Sequence, residues 1–207
     1  VEKVFNEMLK LKLKPAPWVE EMLSIGIKSF YKFSNNKKHF YDIKEKQHKP
    51  IPGSEDLVVL DAFKENDVVW SNKGVTLYDI KDGVLNLEFH TKMNTMGKDV
   101  LEGINYAIDI CEKQYTGLVI ANEADYFSAG ADLGTVFMLA GNRDFDSIEK
   151  SIDAFQKTIM RVRYSSVPVV VATSGLALGG ACELSMHADA VQAHNETYMG
   201  LVELGAG

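Results

Sequence analysis

The chain has 207 residues, 46% hydrophobic and 25% charged, with 16 Gly and only 5 Pro, a balance that excludes collagenous, mucin-like and wholly disordered classes. The net charge of −7 argues against a general nucleic-acid binder. The acidity is uneven: residues 1–50 hold 11 Lys against 6 acidic residues, and the remainder holds 11 basic against 23 acidic, a shift that marks a boundary between units. The longest uninterrupted aliphatic run, Val167 to Ala172, falls far short of the roughly 20 residues of a membrane span. No amino-terminal stretch has the order of a signal peptide. Cys111 and Cys182 each sit in an apolar helical pattern, which reads as reduced packing residues and a cytoplasmic location.

Residues 1–33 carry helical periodicity: Val4, Phe5, Met8 and Leu9, then Trp18, Met22 and Leu23 after the Pro15-Ala16-Pro17 break, with Gly26 ending the second helix. Residues 34–56 are polar and punctuated, which predicts a linker. The expected division is a helical segment over 1–50, a linker over 51–67 and an α/β domain over 68–207. Within the last, Gly74–Ile80 and Val84–Phe89 read as a hairpin turning through Lys81-Asp82-Gly83, with Leu85, Leu87 and Phe89 on one face. Val100, Leu101, Ile104, Ala107, Ile108 and Cys111 lie at helical spacing. Gly117–Ala121 is a short apolar strand, and Ile152, Phe155, Ile159 and Val162 mark another helix. Pro168–Ser174 reads as the most buried strand, followed by a helix from near Gly180 to Ala188 and a strand at Ala190–Ala193. Strands alternating with helices imply an α/β layered domain.

Two glycine-rich turns stand out. The first is Phe127-Ser128-Ala129-Gly130-Ala131-Asp132-Leu133; the second, Gly175-Leu176-Ala177-Leu178-Gly179-Gly180-Ala181-Cys182-Glu183, runs from a strand directly into a helix. Small residues let a ligand approach the main chain, and a helix start offers unpaired N–H groups with a favourable dipole. Side by side, two such turns can aim N–H groups at one oxygen, as in an oxyanion hole; singly, each also reads as close helix–strand packing. Neither has the spacing of a P-loop or a Gly-x-Gly-x-x-Gly fingerprint. Glu183, one turn into an apolar helix, serves either the helix dipole or chemistry, and Glu203 is either a loop acid or its partner. In a dry cleft, two such carboxylates can hold and deprotonate a water and return a proton. His39, His48, His90, His187 and His194 form no metal-binding pattern, so no metal site is expected. Ser128 has no His–Asp partner in evident spacing, which disfavours a nucleophilic hydrolase.

The two glycine turns, with Pro168-Val169-Val170-Val171-Ala172 between them and Gly200-Leu201-Val202-Glu203 after them, resemble the crotonase (enoyl-CoA hydratase/isomerase) superfamily over about residues 75–207. The resemblance implies a repeated ββα spiral that binds an acyl-CoA thioester. It implies that the N–H groups of Ala131 and Gly180 hold the thioester oxygen, and that Ala129 meets the adenine through its backbone. By the same resemblance Lys92 matches the family loop that lines the CoA site, and Glu183 and Glu203 match the two acids of hydratases. Hydration then needs no bound cofactor. A single-acid isomerase and a non-catalytic acyl-CoA-binding or assembly fragment are the alternatives. Residues 17–31, with Pro17-Trp18 and Ser29-Phe30-Tyr31, are similar to the tail of the helical domain of 3-hydroxyacyl-CoA dehydrogenases, or form a helical hairpin with an aromatic anchor. The first reading implies a bifunctional β-oxidation parent whose NAD would belong to a dehydrogenase domain outside this chain. The Val at position 1 and the Leu204-Gly205-Ala206-Gly207 ending predict a piece of a longer polypeptide, which the family implies is a homo-oligomer when complete.

Overall fold

The computed structural model describes residues 1–64 and 66–202. The chain divides into two compact units, Val1–Ala62 and Phe63–Gly207.

The first unit opens with two helices, α1 (Glu2–Lys10) and α2 (Pro17–Ser24). Pro17 starts α2 where its missing N–H costs nothing, and Gly26 closes it with a φ of +82°, as the Ile27 N–H reaches back to the Met22 carbonyl at 3.0 Å. The stretch expected to be helical segment and linker instead continues as an antiparallel sheet of β1 (Tyr31–Ser34), β2 (Lys37–Asp42) and β3 (Gln47–Pro50). Its first turn is Asn35-Asn36, both in the left-handed region at +51° and +56°, the geometry of a two-residue hairpin. These strands are mostly exposed or half-buried, so their polar composition fits a strand as well as a linker. Met22 and Tyr41 are buried, and Trp18 stacks on Tyr41 at 6.5 Å and tilts against Phe30 at 5.4 Å.

The second unit is of the α/β class expected. Its main sheet begins with an antiparallel meander, β4 (Val68–Ser71), β5 (Val75–Asp79) and β6 (Val84–Phe89). It continues in parallel with β7 (Gly117–Ala121), β8 (Val169–Thr173) and, at the far edge, β10 (Ala190–Ala193). Helix α3 (Lys98–Gln114) crosses from β6 to β7 and buries Val100, Ile104, Ala107, Ile108 and Cys111 of the expected stripe, with Gly103 added and Leu101 only half-buried. Between β7 and β8 run two helices, α4 (Leu133–Gly141) and α5 (Phe145–Arg163). Sequence periodicity marks only α5; α4 has apolar residues all round and none buried, so it shows no stripe. Asp132 caps α4, its carboxylate accepting from the Thr135 N–H and hydroxyl. After β8 come β9 (Leu176–Leu178), α6 (Gly180–His187) and β11 (Tyr198–Gly200), which pairs in parallel with β9 in a small second sheet. The core comprises Leu85, Leu87 and Phe89 of β6, the α3 stripe, Leu118 and Ile120, Val169 and Val171, and Ile159 and Val162 of α5. Among the described residues no helix is long and apolar enough to cross a membrane.

Candidate active site

Both glycine turns leave the same end of the parallel strands, and the structure stitches them together. The Ser128 N–H donates to the Leu176 carbonyl at 2.9 Å and the Leu178 N–H returns to the Ser128 carbonyl at 3.1 Å. Side chains brace the first turn from behind: Asn122 accepts from the Phe89 N–H at 2.7 Å, and Asn94 donates to the Tyr126 carbonyl at 2.9 Å. The fully buried Phe127 ring packs on Phe89 at 6.0 Å, and the buried Ser128 hydroxyl accepts the Gly130 N–H at 3.0 Å. Gly130 itself has a φ of +92°, and its carbonyl accepts from the Met96 N–H at 2.8 Å.

The two turns meet at Gly130 and Gly180. A Cβ on Gly130 would stand 2.5 Å from the Leu178 carbonyl oxygen and 3.2 Å from the Gly180 nitrogen, so only a glycine admits this approach. Gly179, at a φ of +51°, turns β9 into α6, and its N–H donates to the Gly200 carbonyl at 2.9 Å. Gly180 is the first helical residue of α6, a position whose N–H has no acceptor within its own helix. Among the described residues neither the Ala131 nor the Gly180 N–H is taken up by a carbonyl. A backbone donor at a helix start, as at Gly180, can stabilise charge developing on an oxygen, and Ala131, just ahead of the Asp132 cap of α4, offers a second N–H.

The other expected residues take the following places. Ala129 is half-buried and gives its N–H to the Met93 carbonyl at 3.1 Å, which lays the 92–94 turn against it; Lys92, in that turn, is exposed. Glu183 lies in the first turn of α6 and is exposed, not enclosed in a dry cleft. The reason is helical geometry: Gly180, Ala181, Leu184 and Ser185 form the buried face, which turns position 183 outward. Glu203 lies outside the described residues. His187 faces back along α6 with its Nδ1 2.8 Å from the Glu183 carbonyl oxygen, a local contact rather than a carboxylate partner. Among the described residues no cluster of His, Cys, Asp or Glu suited to a metal ion is gathered.

Two residues around Gly180 carry no site signal in the sequence. A Cβ there would fall 2.6 Å from Phe155 Cζ and 3.1 Å from Met96 Cε, so the ring of α5 and the methyl of Met96 flank the donor. Helix α5 is held in place by Arg161, which grips Glu112 of α3 through both carboxylate oxygens, at 2.8 and 2.5 Å, and touches Asp109 at 3.0 Å. That guanidinium, with the Ser166 N–H at 2.9 Å, pulls the Glu112 carboxyl down to about 2. Burial pushes the Cys111 thiol up to about 12, which leaves it protonated packing material. An open groove of about 510 Å³ along α5, lined by Phe145, Ile148, Glu149, Ile152, Asp153 and Gln156, shares no residue with the two turns.

Comparison with known proteins matches this architecture. The family model described as Enoyl-CoA hydratase/isomerase fits residues 79–207. A Bacillus subtilis protein named "Probable 3-hydroxyacyl-CoA dehydrogenase" is 38% identical over 191 residues, covering 92% of this chain and 24% of its own length. Another B. subtilis protein, named "Probable enoyl-CoA hydratase", is 31% identical over 116 residues, 55% of this chain and 44% of that protein. The chain thus spans less than half the length of each of these curated relatives. Among solved structures, an enoyl-CoA hydratase from Thermoplasma volcanium superposes with a TM-score of 0.59 at 23% identity, over 66% of this chain and 54% of that one. An enoyl-CoA hydratase/isomerase from Xanthobacter autotrophicus gives 0.59 at 24% identity, over 65% and 51%. At such identities the superpositions speak for the fold.

Proposed function

The chain belongs to the enoyl-CoA hydratase/isomerase family, and from that premise we propose that it adds water across the double bond of a 2-enoyl-CoA thioester to give the 3-hydroxyacyl-CoA. The observation that supports this reading is the seating of Gly130 against the Gly180 nitrogen, beside which the Ala131 and Gly180 N–H groups donate to no backbone carbonyl among the described residues.

The oxygen of water bonds to C3, the C2–C3 π pair moves onto C2 and the thioester oxygen, and the resulting enolate is held by the two N–H groups. Removing one such donor typically costs about 10²–10³ in rate. One of Glu183 and Glu203 takes a proton from the attacking water, and C2 receives a proton as the enolate collapses, so the atoms of water are added and nothing is oxidised. Glu203 follows three positions after Gly200, whose carbonyl binds the Gly179 N–H, and Glu183 stands one turn beyond Gly180. Lys92 is assigned to a CoA phosphate and the Ala129 backbone to the adenine, consistent with the contact between Ala129 and the 92–94 turn.

The relative named as a dehydrogenase, of which this chain spans 24%, supports a multifunctional β-oxidation parent whose NAD-dependent step lies in other parts of that polypeptide. Hydration itself calls for no cofactor. Loss of the conjugated thioester absorbance of crotonyl-CoA tests the reading, measured on this chain and on the parent. Turnover should fall at least about 10²-fold in both Glu183→Gln and Glu203→Gln. Dependence on only one acid, with migration of a 3-enoyl double bond, would replace hydration by isomerisation. Thioester binding without turnover in either polypeptide would leave a binding module.

A further inference from the structure

We propose that Phe155 and Met96 form a wall beside the oxyanion donors that restricts the substrate to thioesters unbranched at C2. This deepens the hydratase reading and rests on its placement of the thioester oxygen at Ala131 and Gly180.

Phe155 Cζ and Met96 Cε stand 2.6 and 3.1 Å from where a Gly180 Cβ would be, so the strip beside that residue's α-carbon is already filled by two side-chain tips. Phe155 is half-buried and packed against the core cluster, and Met96 is 2% exposed, so both side chains are anchored by the core. Met96 is fixed further by its N–H bond to the Gly130 carbonyl, at the heart of the first turn. An oxygen accepting from the Gly180 N–H sits about 2.7–3.1 Å from that nitrogen. C1 is bonded to that oxygen and C2 is the next carbon, so the wall lies beside C1 and C2, not beside the far end of the acyl chain. An unbranched chain leaves from C3 onward; a methyl on C2 projects sideways toward the ring and the thioether. One methyl group against a packed surface discriminates by about 10- to 200-fold.

The test compares crotonyl-CoA with its 2-methyl analogue tiglyl-CoA, and butyryl-CoA with 2-methylbutyryl-CoA, which has no double bond to hydrate. In wild type the branched member of each pair should be the poorer. In Phe155→Ala the ratio of kcat/KM values should shift toward tiglyl-CoA by at least about 10-fold, and the Kd ratio of the saturated pair should move the same way. Met96→Ala should give a smaller shift in the same direction. Phe155→Leu keeps the core filled and serves as the second variant should the alanine fail to fold. If wild type binds the saturated thioesters with the expected preference but hydrates nothing, the hydratase reading falls and the wall stands. If crotonyl-CoA is hydrated and both ratios stay put in folded Phe155 variants, the wall is overturned. Failure of wild type to bind any of the four thioesters overturns both.

Discussion

Gly130 and Gly180 meet where the two turns of the candidate site touch, yet they are glycines for different reasons. Gly130 has a φ of +92° and a backbone oxygen, that of Leu178, 2.5 Å from where its Cβ would be. Gly180 is an ordinary helical residue hemmed in by side chains, those of Phe155 and Met96. The first constraint is written into the main chain; the second is an agreement between neighbours. What differs is whether a substitution elsewhere can relieve it.

The sharpest way to break this comparison is Gly130→Ala. It should cost about 3 kcal/mol or more, because left-handed backbone strain and a clash with a carbonyl add, and no second-site change should restore it. A thermal melt that shows less than half that loss would put the two glycines in one class. Next comes Gly180→Ala, expected to cost about 1–3 kcal/mol in wild type and to lose most of that additional cost in a Phe155→Ala background. A double-mutant cycle in denaturant reads the coupling, and strict additivity would refute it. The smallest effect concerns the clamp that seats α5. Glu112 titrates near 2 in the folded protein against an ordinary 4.5, so its contribution is complete above pH 4.5 and is lost as pH falls toward 2. Because the pair is partly open to solvent, about 1–2 kcal/mol is expected from it. Glu112→Gln should flatten that acid limb; an unchanged acid limb would remove the clamp from the account of Phe155.

The elements of the second unit legible in the sequence are mostly those with one buried stripe or alternating face, β5, β6, α3, β7, α5, β8 and α6, together with the exposed edge strand β10. Helix α4 has no such stripe, and the sheet of the first unit hides behind lysines and histidines because its strands keep much of their surface in water. Asn35-Asn36 was the available signal there, since asparagine tolerates the left-handed turn of a hairpin. At the site, the paired glycine turns are legible because close approach demands particular residues in a particular order. The outward aspect of Glu183 is not, since it depends on which face of α6 meets the core. Nor is Phe155: its spacing says core helix, and only the packing of α5 against α6 turns its ring tip toward Gly180.

The bridges Met96–Ala131 and Ser128–Ala177 join three stretches of chain that are far apart in sequence. During synthesis the first glycine turn leaves the ribosome well before the segment that completes it, and parallel strands of this kind pair late because distant ends must first find each other. The junction of the two glycine turns is therefore among the last features to acquire its native hydrogen bonds. A nascent chain halted before residue 176 would carry the turn without its mate, and a destabilised folded chain should lose that junction, read as early amide exchange at Ser128 and Leu178, before the α3 core gives way.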